Sequence, residues 1–434
     1  MALKIKQNTE QNDRKTVYEF SCVRRAIPFP PLGTTTNLLN FNYIALNAIK
    51  IPPPLPVEMP ETSLPRVLNY YADYGGCGFW RMIWPEFLLN FYQKMVCTGM
   101  TQMVLDTRFY STIRAIRFQR QATDHQMMFI KELNKVKKDL NLRLLYEVDD
   151  VVFKEDIPEY NRCRDAFNDD KIVKNILEII EMMDEMTVTC QFMKDYYIEK
   201  TGNKKITVIP NYAPKFWLDR FYNPEKLEEN FEKNKKRPRI LYSGSGTHID
   251  VLNRTGMKDD FSHVIDQIIK ARKKFKFVWK GCYPLALRPF IDSGEMEYVD
   301  WSPLPDYPKG LMDTNCNATF APLIDNIFNK SKSNIKMVES GALGMPGAYQ
   351  NLCTYEMAEH RFDKGTDLIE KLEYITSDVD RYMKESQKAR KFAEGLWLED
   401  HINEYEGLYL TAWGSKERNE KYPSLISLNK DQII

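Results

Sequence analysis

Two lysines, a serine and a glutamate stand close together in APLIDNIFNKSKSNIKMVESGALGMPG, residues 321–347, in an order that suits binding of a nucleoside diphosphate. The apolar residues up to Pro322 read as a strand, a polar loop follows, and a helix is predicted to start near Ser333. The first backbone N–H groups of a helix have no partner within it, and the helix dipole is positive at that end. The backbone of Ser333, Asn334 and Ile335 is therefore expected to face a diphosphate, with Lys332 and Lys336 adding full charges beside it. Glu339 lies about two turns in, where a carboxylate can accept hydrogen bonds from a ribose diol. Gly344 and Pro346 then stop the helix. The plainer alternative is an amphipathic helix with a solvated Lys/Glu face.

Other stretches carry side chains suited to chemistry. LYSGSGTH, 241–248, reads as a strand running into a turn; Gly244 and Gly246 let the backbone approach a phosphate, and Thr247 and His248 can donate hydrogen bonds to phosphate or sugar. YGGCGFWR, 74–81, places Gly75, Gly76 and Gly78 between a strand and a helix that Arg81 begins. It does not fit Gly-x-Gly-x-x-Gly, which disfavours an NAD enzyme. Asp149 and Asp150 end the apolar strand RLLYEVDDVVF, 143–153, and one of them could orient or deprotonate an acceptor hydroxyl. Adjacent strand residues point to opposite sides, so only one is expected to face a cleft; a helix cap or a structural hydrogen bond is the alternative. Arg114, Arg117 and Arg120 are three apart and would share a helix face able to meet phosphates, or form a solvated basic surface.

The elements that must position these residues alternate. Strand-like and helix-like stretches follow one another from about residue 67 to 213 and again from 239, with TQMVLDTRFY (101–110) among the expected strands. That is the pattern of parallel α/β sheets. The charged stretch 214–239 between the series is the expected boundary, and 366–412 is again helical in pattern. Residues 1–66, broken by PFPPLG and PPPLP, read as an irregular lead-in.

A chain of 434 residues suits two domains of roughly 200 residues. Hydrophobic residues make up 43%, enough for two cores, and 61 basic against 60 acidic residues exclude a globally basic nucleic-acid coat. None of the eight cysteines forms Cys-x-x-Cys, so reduced thiols are expected rather than disulfides or structural zinc. A polar start and the lack of any apolar run near ~20 residues lead to the expectation of a cytoplasmic protein.

KSNIKMVESGALGMP resembles the donor-site signature of GT-B glycosyltransferases, particularly the large retaining family four. There an acidic residue, seven further residues and a second acidic residue frame the nucleotide sugar; Glu339 matches the second, and the first falls at Ser331. LYSGSGTH resembles the first turn of that family's C-terminal domain, YGGCGFWR its glycine-rich loop opposite the donor, and Trp301 stands where a base pocket often forms. The resemblance implies two facing Rossmann-like domains. Residues 1–214 would hold the acceptor, 215–385 would bind the nucleoside diphosphate sugar, and helices in 386–434 would cross back. It also implies a UDP-linked donor, retention of anomeric configuration, and protein cations such as Lys336 in place of a metal or other cofactor. Residues 116–126 and 144–153 resemble segments of a subgroup from bacteria and their phages. For that subgroup the expected acceptor is 5-hydroxymethylcytosine in double-stranded phage DNA, read from a flipped base. The alternatives are a polysaccharide or lipid-linked glycan acceptor, or a catalytically silent nucleotide-sugar or DNA-binding protein.

Overall fold

Strands inside a parallel sheet are covered on both faces, so they read as apolar runs rather than as alternation. RLLYE, KFVWKG and ATFA are runs of this kind, and each becomes a strand buried along nearly its whole length. The computed structural model of the chain describes residues 64–100, 103–104 and 107–410. Most of the expected lead-in and the end of the expected C-terminal tail lie outside the described residues.

The first sheet contains β1 (Arg66–Tyr70), β2 (Val96–Met100), β3 (Ile113–Gln119), β4 (Arg143–Glu147), β5 (Glu185–Val188) and β6 (Ile206–Val208), in the order β2-β1-β3-β4-β5-β6. The second contains β7 (Arg239–Gly244), β8 (Lys276–Gly281), β9 (Glu297–Val299), β10 (Ala318–Ala321), β11 (Gly347–Gln350) and β12 (Arg361–Phe362), in the order β12-β11-β10-β7-β8-β9. All pairings are parallel. Read from the β9 edge, the second sheet has the doubly wound order 3-2-1-4-5-6. In such sheets the crevice for a ligand opens beyond the strand ends where the winding reverses, here after β1 and after β7.

The connection between the sheets is more regular than its composition suggests. Asn223 caps a helix, Pro224–Asn234, whose Leu227 and Phe231 are buried in the second domain. The strand expected over 101–110 is absent from the described part of that stretch: β2 already ends at Met100, and Thr107–Thr112 is a 3-10 turn.

The C-terminal helices divide between the domains. Val379–Glu394 belongs to the second: Ser386 Oγ donates to Gly344 O at 2.6 Å, and Arg390 donates to Ala342 O. Gly341 lets the helices meet, since a Cβ there would lie 2.6 Å from Ala389 O. A boundary at residue 386 thus falls inside a helix; the chain crosses only at about Ala213↔Trp397, a parallel bridge. Leu398–Leu410 then lies on the first domain, where Tyr409 Oη donates to Asn69 Oδ1 at 2.9 Å and Arg143 Nε to Leu408 O at 3.0 Å.

The three arginines do not share a face. They fall on and just beyond a strand, β3, so Arg114 and Arg117 point to opposite sides, and Arg120 follows in a left-handed conformation, φ 54°. Arg117 is fully buried beside Arg81 and Glu147. Arg81 Nε lies 2.6 Å from Glu147 Oε1, and Arg117 pairs with the other carboxylate oxygen. Arg81 does not begin its helix either; that helix starts at Gly76 and runs through a π-helical stretch, Phe79–Ile83. Glu147→Ala would leave two guanidinium groups buried without their shared counter-charge. It is expected to lower the unfolding free energy by about 3–5 kcal/mol in urea denaturation, and a loss under ~1 kcal/mol would show that water compensates them.

Candidate functional site

A cavity of about 370 Å³ lies between the two sheets, walled by the loops that leave β1, β4, β6, β7, β9 and β10. Of the residues singled out in the sequence, it gathers Gly75, Gly76, Arg81, Asp149, Asp150, Gly244, Thr247, His248, Trp301, Lys332, Ser333, Ile335, Lys336 and Glu339. Gly78, Gly246, Asn334, Arg114, Arg117 and Arg120 do not line it.

The second-domain wall centres on the helix Ile335–Ala342, which starts two residues later than expected, with Asn334 at its cap position. The backbone N–H groups of Ser333, Asn334 and Ile335 have no partner among the described residues. Lys336 reaches back to donate to Ser243 O and lies 4.5 Å from the centre of the Tyr242 ring. Gly244 makes room for this: a Cβ there would fall 2.5 Å from Lys336 Nζ and 2.6 Å from Tyr242 Oη. Burial pushes the Lys336 ammonium down to about 8, against the pull of nearby Glu339. Burial likewise pushes the Glu339 carboxyl up to about 7, opposed by Lys336 and by a 3.2 Å hydrogen bond from Tyr307 Oη. Trp301 packs against Tyr307 and across Gly281, whose φ of +91° and closeness to the indole suit glycine.

Two expectations for this wall change, at Gly246 and His248, and Ser331, the non-acidic residue at the first acid's position, lies away from the ligand side. Ser331 is fully buried and donates its hydroxyl to Ile327 O at 2.8 Å, so it turns away from the cavity. Gly246 is buried over Cys282 and Val251, each 3.3 Å from where its Cβ would be, and serves the turn rather than a ligand. His248 directs Nδ1 to Asp260 Oδ2 at 2.7 Å. Asp260 also accepts from Tyr160 Oη (2.8 Å), Asn329 Nδ2 (2.6 Å) and Ile324 N (3.0 Å), so the imidazole carries the proton of that contact on Nδ1. Burial holds the ring below its usual pKa, and the neutral ring then presents a bare Nε2, an acceptor unsuited to donating to phosphate.

In the first domain, Asp73 organises the glycine loop. Its Oδ1 accepts from Gly75 N at 2.8 Å and Gly78 N at 3.1 Å, and a Cβ on Gly78 would fall 1.9 Å from Asp73 O. Gly78 is therefore needed for the turn, while Gly75 and Gly76 face the cavity. β4 ends at Glu147, two residues before Asp149, so strand alternation does not apply and both Asp149 and Asp150 line the cavity. Burial raises the Asp149 carboxyl, but Arg120, 3.3 Å away, and other donors outweigh it and hold the group below the carboxylate range. Asp150 pairs across the cleft with Lys332 Nζ at 2.5 Å. Asn211 adds a second crossing: it accepts from Arg81 Nη1 at 3.0 Å and donates to Ser333 Oγ at 2.8 Å.

Tyr307, Ser243, Asn211 and Arg162 line the cavity without having been singled out in the sequence. Tyr307 and Asn211 lie just after β9 and β6 in the proline-containing stretches VDWSPLPDYP and KITVIPNYAP, and a position beyond a strand end was their available signal. Outside the cavity, Glu359, His360 and Glu385 come close enough to hold a metal, but Lys388 Nζ reaches both carboxylates, at 2.5 and 3.1 Å, and supplies positive charge there. No helix among the described residues is long and apolar enough to cross a membrane.

No protein-family model and no curated protein sequence matches the chain. Solved structures do match its fold. HepE of Anabaena, crystallised with UDP-glucose, is similar with a TM-score of 0.54 at 10% identity, over 80% of this chain and 99% of that one. The catalytic domain of starch synthase IV from Arabidopsis thaliana, bound to ADP and acarbose, is similar with a TM-score of 0.54 at 11% identity, over 81% of this chain and 99% of that one. At that identity the likeness concerns architecture, and the architecture is the GT-B fold: two parallel α/β domains facing each other across a cleft.

Proposed function

We propose that the chain is a glycosyltransferase that takes its sugar from a nucleoside diphosphate, with UDP as the carrier. The observation that carries this reading is the wall formed by Lys336, the unpartnered 333–335 backbone and Glu339, at the end of the sheet where a doubly wound fold binds nucleotides. The likeness to structures holding UDP-glucose and ADP supports it.

In this reading Lys336 and the helix start hold the diphosphate, Glu339 and Tyr307 take the ribose hydroxyls, and Trp301 borders the base. The bond from the anomeric carbon to the phosphate oxygen breaks while a bond to the acceptor oxygen forms, and the leaving diphosphate is stabilised by fixed donors. A phosphate also competes with Asp150 for Lys332. Once Lys332 turns to the donor, the freed Asp150 carboxylate is available to orient the acceptor hydroxyl and take its proton. Retention follows the family resemblance and requires the acceptor to approach from the face the phosphate leaves. The acceptor, 5-hydroxymethylcytosine in double-stranded DNA, rests on the subgroup resemblance alone, because the arginine face meant to track the duplex is absent. Glycans are the competing acceptors.

Hydrolysis of UDP- and ADP-sugars without acceptor separates an enzyme from a silent binder. Mass spectrometry of nucleosides from treated hydroxymethylcytosine DNA then tests the acceptor, and hydrolysis without a glycosylated nucleoside moves it to glycans. Lys336→Ala is expected to reduce turnover roughly a hundredfold with unchanged melting; near-normal turnover would refute the role. Donor affinity should follow a bell in pH. Glu339 becomes a full acceptor only above about 7, and Lys336 loses its proton above about 8. Calorimetric titration of UDP across pH should show the acid limb vanish in Glu339→Gln and the alkaline limb in Lys336→Arg.

A further inference from the structure

The charged groups of the cleft are matched almost one for one. Arg81 has Glu147, Arg120 has Asp73 and Asp149, and Lys332 has Asp150. Two cations form no ion pair among the described residues, although Glu339 lies one helical turn from Lys336. Lys336 donates only to the Ser243 carbonyl, and Arg162, half-buried on the first-domain side, has no hydrogen bond or ion pair among the described residues.

The backbone around Arg162 is nevertheless held firmly. Asn161 Oδ1 accepts from Cys163 N at 2.8 Å and starts the turn Arg162–Phe167, which packs against the Gly246–His248 turn of the second domain. On one side of Arg162, Tyr160 Oη donates to the second-domain Asp260 at 2.8 Å. On the other, Asp165 Oδ1 accepts from the second-domain Arg254 Nη1 at 3.0 Å. Arg162 and Lys336 line the same cavity, together with Gly244, Thr247 and His248 of the second-domain turn.

A half-buried cation without a counter-charge loses hydration with nothing in return, unless an anion arrives. The planar guanidinium fork suits phosphate oxygens. We infer that Arg162 completes the diphosphate site from the opposing domain, so that the donor phosphates are held between Arg162 and Lys336 above the Gly244–His248 turn. The inference rests on the donor reading proposed above and adds to it a residue and a consequence: the donor bridges both domains.

Calorimetric titration of the full chain with UDP, ADP and the corresponding nucleosides tests it. Arg162→Gln should weaken binding of the preferred diphosphate roughly ten- to a hundredfold, leave the nucleoside unchanged, and melt like wild type. Arg162→Lys should fall between the two. Wild type preferring the diphosphate to its nucleoside, with Arg162→Gln within about twofold of it, would overturn the inference and leave the donor reading standing. Wild type showing no preference for UDP or ADP over the nucleosides would instead overturn the donor reading, and the inference with it.

Discussion

Glu147 ends β4 with no access to water and with a guanidinium on each side, and the placement of both domains depends on how that charge is satisfied. A buried carboxylate is stable only when paired and fully hydrogen-bonded, and here Arg81, Arg117 and Thr187 all donate to it. The two arginines carry the constraint outward. Arg117 donates to Arg81 O at 2.9 Å, fixing the helix behind the glycine loop, and lies 5.5 Å from the Tyr405 ring on the returning C-terminal helix. Arg81 donates to Ile209 O at 2.6 Å and to Asn211, which reaches Ser333 beside the unpartnered start of the second-domain helix. One buried charge in the first domain is thus linked by hydrogen bonds to the unpartnered 333–335 backbone of the second domain.

What the sequence shows and hides follows from the range of the interactions. Buried parallel strands and the helix after residue 333 are local patterns, and they are readable because burial on both faces demands apolar runs. The arginine triplet is ambiguous locally, since a spacing of three is compatible with a helix face or with a strand. The choice is made by β1 and β4, which flank β3 and pair Arg117 with Asn69 on one side and Leu145 on the other. Asp149 and Asp150 are likewise misjudged by alternation, because the position at which a strand stops depends on its neighbour's length. The helix Pro224–Asn234 offers only Leu227 and Phe231 as an apolar face, and its charged residues mask it. Arg162 carries no local signal at all: the contacts that hold its turn against the other domain come from residues 89 and 100 positions away along the chain.

The state of charge in the unliganded cleft bears on how its two halves communicate. Lys336 and Glu339 are one helical turn apart and both are pushed by burial toward their neutral forms, one to about 8 and the other to about 7. Lys332 and Asp150 form an ion pair across the gap. Under the proposed function, a diphosphate entering such a site favours the charged form of Lys336 and offers Lys332 a partner with more negative charge than Asp150 has. The interdomain ion pair then has a competitor on one side only. Under the proposed function its acid, on the acceptor side, is released when the donor is in place, so the order of events at the two substrates follows from which charge each lysine prefers. The carboxylate freed on the first domain is then, under the proposed function, available to take the proton of the acceptor hydroxyl.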